Sequence, residues 1–301
     1  MRYLLFVGLV FLIKVDAVVS SKALSVQPCS AAFVVSDLDE STVWYEALGF
    51  KQDTLIESSE YGVRINFLKM GYFTLELIDF EDAALVEKEH LPSEYSNVHG
   101  FVKLGFLAKN LDSVIAKLGQ DSHYVVGPAN LPLLESENPW PHKFYLIKDP
   151  DGNYMQFFQG DNEFNEQYGF LGELSIAPFL AMLSVGNFDD ALDWYKQIGF
   201  KEYERLEDPG NQRALLKSGT FFMEIGSFEH DISLAELSQG ELDRDRVVRM
   251  AKLGFMVAEL DTLYQSLKNS GSTFLHSSLR SKNPNFIVRD MEQNNIQFFE
   301  N

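Results

Sequence analysis

The sequence repeats itself at an interval of about half its length, and this repeat limits the possible folds more than any other feature. Residues 34–50 contain an apolar strand, an Asp and a short helix with Trp-Tyr that ends at Gly-Phe. Residues 184–200 have the same order, with Asn in place of the Asp. Asp and Asn are common helix N-caps, and Gly commonly follows the end of a helix. Each half of the chain is therefore predicted to contain the same strand–helix unit.

Two further matches extend the repeat. Residues 103–112 and 252–261 both resemble an apolar strand that leads into a helix, and residues 154–158 and 295–299 both end in Gln-Phe-Phe. Three matches in the same order predict a duplicated chain of four units, each with one strand, one helix and then several strands. The units are predicted at residues 28–80, 98–160, 178–228 and 249–301.

Composition limits the class of protein. The 301 residues are 46% hydrophobic, which is enough to bury a core in each of two domains. The 25 Phe, 12 Tyr and 3 Trp favour sheets lined with aromatic rings over a leucine-rich helical bundle. The formal net charge of −19 argues against a nucleic-acid partner, because phosphate binding requires a basic surface.

The N-terminus resembles a secretory leader. Met1-Arg2 supplies a positive start, and Leu4–Ile13 is apolar but too short to span a bilayer. Residues 1–17 are therefore predicted to be a signal peptide, and the protein is predicted to be secreted or periplasmic, with no stable membrane span after cleavage. A retained N-terminal anchor is the alternative.

The predicted domains meet at a polar connection. Residues 161–177 contain Asn and Gly and interrupt the strand pattern on both sides. The first domain is predicted at 28–160 and the second at 178–301. The second domain is more degenerate, because Asp-Met-Glu-Gln-Asn-Asn at 290–295 replaces the Asp-Pro-Asp-Gly-Asn turn at 149–153.

Two segments resemble the vicinal-oxygen-chelate superfamily. Residues 37–50 are similar to its first helix, and residues 144–156 are similar to its closing hairpin. The superfamily includes glyoxalase I, extradiol dioxygenases, fosfomycin-resistance proteins and bleomycin-resistance proteins. The resemblance implies an α+β fold of tandem paired βαβββ units, in which each pair forms a half-open curved-sheet barrel around a cleft.

The resemblance also indicates where metal ligands would lie, on the first and last strands of two units. Transferred by motif spacing, these positions are Ser30, Glu76, Lys103 and Gln156 in the first half, and Leu180, Glu224, Lys252 and Gln297 in the second. A protonated Lys has no lone pair, Leu has no donor atom and Ser is a weak ligand. None of the six His falls on these positions. No metal cofactor is therefore expected.

A Lys ammonium group is a physical substitute for the metal. In this hypothesis Lys103 pairs with Glu76 and Lys252 pairs with Glu224, because an ion pair is easier to bury than a single charge. The alternative is that these side chains only line a hydrated cleft. A role for Glu76 as a general base is a weaker alternative, because the sequence supplies no second catalytic partner.

Trp140, which lies between two prolines before the closing hairpin, is the remaining candidate. The segment resembles the Pro-Trp-Gly entry of bleomycin-resistance-like proteins, which bind drugs in an aromatic cleft without a metal. Trp140 is expected either to stack on a flat ligand or to seal its loop against the core.

The protein is predicted to bind a small hydrophobic or aromatic molecule in such a cleft. The sequence leaves open whether it forms a homodimer. One alternative is a glyoxalase-type lyase, isomerase or related metalloenzyme. The other is a structural protein whose clefts are filled by Phe157 and Phe298.

Overall fold

The structure is a computed structural model. It describes residues 26–85, 98–118, 123–130, 141, 143–208, 210–237 and 243–301, with the backbone alone at 123–130 and 206–208. The predicted leader at 1–17 and Trp140 lie outside the described residues, so the roles assigned to them stay predictions. Among the described helices, none combines the length and the apolar character that a membrane crossing requires.

The described residues form four units of one strand, one helix and three strands. The first comprises β1 (Gln27–Val34), α1 (Leu38–Ala47), β2 (Lys51–Ser58), β3 (Val63–Met70) and β4 (Phe73–Phe80). The second comprises β5 (Gly100–Ala108), α2 (Leu111–Leu118), β6 (His123–Asn130), β7 (Lys143–Lys148) and β8 (Tyr154–Gln159). After the short helix α3 (Asn162–Asn165), the third comprises β9 (Ile176–Ser184), α4 (Phe188–Gln197), β10 (Lys201–Asp208), β11 (Asn211–Ser218) and β12 (Phe221–Phe228). After α5 (Leu234–Leu237) and a 3₁₀ turn (Arg244–Arg246), the fourth comprises β13 (Arg249–Val257), α6 (Leu260–Asn269), β14 (Thr273–Ser277), β15 (Asn285–Arg289) and β16 (Asn295–Glu300). The predicted α+β units are confirmed.

The repeated helices begin and end as the sequence predicts. The Asp37 side chain accepts hydrogen bonds from the backbone N–H groups of Asp39 and Glu40, and Asn187 caps α4 in the same way. Gly49 and Gly199 follow the two helices with φ values of +98° and +109°. Only glycine adopts this left-handed conformation without strain, which explains why both helices stop at Gly-Phe.

The four units form two open sheets, and each sheet takes one unit from each half of the chain. The first sheet joins the first and fourth units in the order β14-β15-β16-β13-β1-β4-β3-β2. The second sheet joins the second and third units in the order β10-β11-β12-β9-β5-β8-β7-β6. The halves meet where β1 pairs with β13 and where β5 pairs with β9, both antiparallel. Neither described strand order closes into a barrel, and the domain bounds at 28–160 and 178–301 stay predictions.

A single aromatic core includes side chains from both sheets. Phe106 of the second sheet contacts Phe50 and Phe73 of the first unit. Phe157 stacks on Phe106, and Phe298 stacks on Phe255, in this same core. The expectation that Phe157 and Phe298 fill the clefts is therefore wrong. Successive strand residues point to opposite faces, so the preceding Gln156 and Gln297 face away from the core.

Two matching hydrogen bonds connect the sheets across the core. The Tyr45 hydroxyl donates to Asp149 Oδ2 at 2.8 Å, and the Tyr195 hydroxyl donates to Asp290 Oδ2 at 2.8 Å. Each bond joins the first helix of one half to the hairpin turn that closes the same half. Burial raises the pKa of Asp149 to about 6 and raises the pKa of Asp290 as well. Each half is thus held together through the core, while each sheet combines the two halves.

Candidate functional site

The predicted cleft residues meet on the face of each sheet that lies away from the common core. In the first sheet, Lys252 Nζ donates to Glu76 Oε2 at 2.7 Å. In the second sheet, Lys103 Nζ lies 2.8 Å from Glu224 Oε2. The predicted pairs of Lys103 with Glu76 and of Lys252 with Glu224 are wrong. Because each sheet joins units from different halves, each Lys faces the Glu of the other half.

Strand register explains why these side chains meet. Ala32 of β1 is paired with Glu76 of β4 on one side and with Lys252 of β13 on the other. Residues paired across strands share a face of the sheet, so the Lys and the Glu approach each other over the small Ala32 side chain. The neighbouring row contains Ser30, Gly254 and Gln297. The structure therefore assembles Ser30, Glu76, Lys252 and Gln297 around one place.

The second sheet repeats this arrangement. Met182 of β9 is paired with both Lys103 and Glu224, in the place that Ala32 takes in the first sheet. The neighbouring row contains Leu180, Gly105 and Gln156. The second set is therefore Leu180, Glu224, Lys103 and Gln156.

The site in the first sheet is sealed. The side chains of Lys252 and Glu76 are only 2% and 7% exposed, and Ser30 and Gln297 are fully buried. Beside them lies an apolar cluster of Cys29, Met256 and Phe299. Burial raises the pKa of the Cys29 thiol, so the thiolate form that would react is suppressed at neutral pH. The Lys252–Glu76 ion pair is therefore part of the protein interior.

The site in the second sheet is more open. The side chains of Lys103 and Glu224 are each 15% exposed. Gln156 is only 4% exposed, and its Oε1 has no hydrogen-bond partner among the described residues. We call this region the second-sheet cleft, because the resemblance places a cleft here; its polar residues are Lys103, Gln156 and Glu224, and its apolar residues are Leu180, Met182, Phe222, Phe228 and Tyr203.

Several aromatic rings pack in the apolar cluster of the second-sheet cleft. The rings of Tyr203 and Phe222 meet edge to face with centroids 5.3 Å apart. The Phe228 ring lies so close over Gly226 that a Cβ atom there would be 2.4 Å away. In the predicted linker, Phe164 and Tyr168 pack on Phe179 of the same apolar cluster. The cleft thus combines an ion pair with apolar walls.

Tyr203 and Glu204 are functional candidates that sequence reasoning missed. The pairing of β10 with β11 shifts between Glu202 and Glu204, so the strand has an extra residue at Tyr203. Tyr203 packs in the apolar cluster of the cleft, and Glu204 pairs with Leu215 of that cluster. The segment Lys-Glu-Tyr-Glu-Arg reads as an ordinary polar edge strand, and only the register reveals that both side chains face the cleft.

Neither set of residues fits the divalent metal that the resemblance implies. A Lys ammonium group is already bound to the carboxylate that a metal would use, and a protonated amine cannot act as a ligand. Leu180 offers no donor atom at all. In the described part of the chain, no group of three or more His, Cys, Asp or Glu side chains is arranged to hold a metal ion. We therefore derive no chemistry through a metal.

Similar structures agree with this fold. Glyoxalase I from Zea mays is 15% identical, with a TM-score of 0.62 and 92% of both chains covered. A putative dioxygenase from Bacillus subtilis is 10% identical, with a TM-score of 0.61, and covers 92% of this chain and 85% of its own. At these identities the similarity establishes the fold alone.

Family comparison identifies the first half. No curated protein matches the chain. The model of the Glyoxalase/Bleomycin resistance protein/Dioxygenase superfamily matches residues 29–157. Residues 29–157 therefore belong to the glyoxalase, bleomycin-resistance protein and dioxygenase superfamily, and the βαβββ units of the second half repeat the same fold.

Proposed function

We propose that this protein binds a small hydrophobic or aromatic molecule in the second-sheet cleft without a metal. The observation that carries the proposal is the Lys103–Glu224 pair, which occupies the expected metal position and stays 15% exposed on both side chains. The equivalent pair in the first sheet is sealed, and we assign it a structural role.

Two features of this region support a small-molecule site. Its apolar walls bury ligand surface, which contributes about 25 cal/mol for each Å² removed from water. Its polar groups orient the ligand, and the unpartnered Gln156 Oε1 is an acceptor for a ligand donor. A buried acceptor without a partner is costly, so a ligand that donates to it recovers that cost.

A glyoxalase-type lyase or isomerase is the competing function, and its support is the similarity of fold to glyoxalase I. Fold does not determine chemistry, which depends on the residues of the site. Elemental analysis of the purified protein separates the two functions. We expect substoichiometric metal, and one zinc, nickel or iron ion per chain would contradict the proposal.

Histidine substitutions test the geometry of the cleft. Leu180→His with Lys103→His would combine two imidazoles with Glu224 and Gln156, a ligand set suited to zinc. We expect zinc binding by calorimetry in this variant. The matched control, Leu180→His with Lys252→His, puts the two imidazoles in different sheets and should bind no zinc. If both variants bind zinc, or if neither does, positions 103, 156, 180 and 224 do not surround one site.

Ligand binding can be tested with a thermal-shift screen of aromatic compounds, because a ligand that binds only the folded state raises the melting temperature. Gln156→Leu should reduce the shift produced by a bound compound. The control Gln297→Leu changes the equivalent residue of the sealed site and should leave the shift intact. An equal loss in both variants would place the ligand elsewhere.

A further inference from the structure

We propose that Tyr203 and Glu204 make the second-sheet cleft selective for aromatic molecules that carry a protonated amine. This inference rests on the proposed function and adds the class of ligand. It concerns strand β10, which supplies none of the positions expected from the family pattern.

The first step is the direction of the two side chains. The extra residue in β10 places two residues opposite one on β11, so Tyr203 and Glu204 both turn toward the cleft. Glu204 shares its row with Leu215 and, one strand further, with Glu224. The Tyr203 ring contacts the Phe222 ring in the next row. An aromatic ring and a carboxylate thus stand side by side at the outer end of the cleft.

The second step is the missing partner of the carboxylate. Glu204 Oε2 is buried and accepts no hydrogen bond from the described residues. Burial raises the pKa of this carboxyl group. Gln156 Oε1, at the inner end of the cleft, also lacks a partner. Both atoms are acceptors, so the complementary ligand must supply donors.

The third step is that the local rings already stabilise a cation. Lys217 Nζ lies 5.4 Å from the centre of the Tyr203 ring and 5.0 Å from the centre of the Phe222 ring. A cation at this distance is attracted by the negative face of the ring. Glu204 Oε2 accepts no hydrogen bond from Lys217, so this oxygen can accept one from a second cation.

The first sheet contains the same bulge with different side chains. The same shift in pairing occurs between Gln52 and Thr54. There the extra residue is Asp53, which forms an ion pair with Lys69 at 3.0 Å, and Thr54 donates to Asp53. The Asp53 side chain is 37% exposed and has partners within the protein. Thr54 takes the position that Glu204 has in the second sheet, so only the second-sheet bulge places an acid without a partner there.

Calorimetric titration with a matched pair of probes tests the selectivity. Tryptamine carries an ammonium group at pH 8, and 3-methylindole has the same ring without it. We expect the intact protein to bind tryptamine about tenfold more tightly, because a charge-assisted hydrogen bond is stronger than a neutral one. Glu204→Gln should reduce this preference to about twofold or less, and Tyr203→Leu should weaken both probes.

Glu202→Gln is the control, because Glu202 is an exposed residue of the same strand whose carboxylate bonds to Lys196 and Arg205. The preference for tryptamine should survive in this variant. Equal affinity of the intact protein for both probes would overturn the selectivity and leave cleft binding in place. Failure of every aromatic compound in the screen would instead contradict the proposed function. A preference that persists in folded Glu204→Gln would show that another group holds the amine.

Discussion

The two sheets carry the same ion pair at equivalent places, but they use it differently. In the first sheet the Lys252–Glu76 pair is almost completely buried, whereas in the second sheet the Lys103–Glu224 pair keeps contact with solvent. The chemical groups and the distances are nearly the same. The difference therefore comes from the surroundings, and it shows that duplicated sites with the same ion pair can differ in their exposure to solvent.

Neighbouring side chains account for the difference. The first sheet has an apolar cluster that includes Phe299 beside the pair. Asp245 of the 3₁₀ turn binds Arg289 at 2.9 Å and Asn295 at 3.2 Å, which closes the same face. In the second sheet, Met182 lies between Lys103 and Glu224, where the first sheet has the smaller Ala32. The Lys103–Glu224 pair stays 15% exposed to solvent.

Removal of the buried ammonium group should have the largest effect. Lys252→Met leaves the Glu76 carboxylate buried without a partner, and we expect it to lower the free energy of unfolding by about 3–5 kcal/mol. Lys103→Met should cost less, about 2–3 kcal/mol, because the partly exposed Glu224 keeps some contact with solvent. Urea denaturation of both variants measures the difference.

A double variant provides the control for this comparison. Lys252→Met combined with Glu76→Leu removes both charges and should recover most of the lost stability, since an apolar pair can replace a buried ion pair. Equal losses from Lys252→Met and Lys103→Met would mean that the two sites are equally exposed in solution.

The buried carboxylates should make stability depend on pH, and more strongly in the first half. The pKa of Asp149 is raised to about 6 by burial, so the folded protein binds a proton more tightly than the unfolded chain does. Its contribution to stability is complete below pH 3.8 and is lost as pH rises through about 6. The difference amounts to roughly 3 kcal/mol at most.

Paired substitutions isolate this dependence. The difference in unfolding free energy between the unaltered protein and Asp149→Asn should decline between pH 4 and 6. Above pH 6 this difference should stay constant. Asp290→Asn should show a weaker dependence, because Arg244 near Asp290 favours the charged form whereas Asp151 near Asp149 opposes it. A flat difference curve for Asp149→Asn would contradict the raised pKa.

The tyrosine hydroxyl groups should have the smallest effect. Tyr45→Phe removes one hydrogen bond to Asp149, which keeps its bonds from Asn153. We expect a loss of about 1–2 kcal/mol. Tyr195→Phe should cost slightly less, because Arg244 still stabilises Asp290. Thermal unfolding of the two variants gives the ranking, and a larger loss for Tyr195→Phe would contradict it.

Local pattern was sufficient to predict the units of this fold. The caps at Asp37 and Asn187 and the glycines at 49 and 199 act within a few residues of their own position, so they are visible in the sequence. The positions of the paired Lys and Glu residues were also predictable, because the motif spacing of the resembling family identifies them.

The pairing of the units was not predictable in the same way. The sequence of β1 does not specify pairing with β13 instead of β5, because β5 and β13 are both mostly buried strands of 9 residues. Thus Lys103 and Lys252 were identified, but their glutamates were exchanged. Glu204 was missed because the shift in β10 depends on its pairing with β11.

The pairing of β1 with β13 also determines when the protein can fold during synthesis. The second sheet needs only the middle of the chain and can form once β12 has left the ribosome. The first sheet cannot, because β1 must wait for strands near the C-terminus before its second edge is covered. Contacts this distant in sequence slow folding and prolong the exposure of unpaired strands. Strand β1 is therefore among the last of the described strands to complete its pairing, and its second edge stays exposed until β13 has been made.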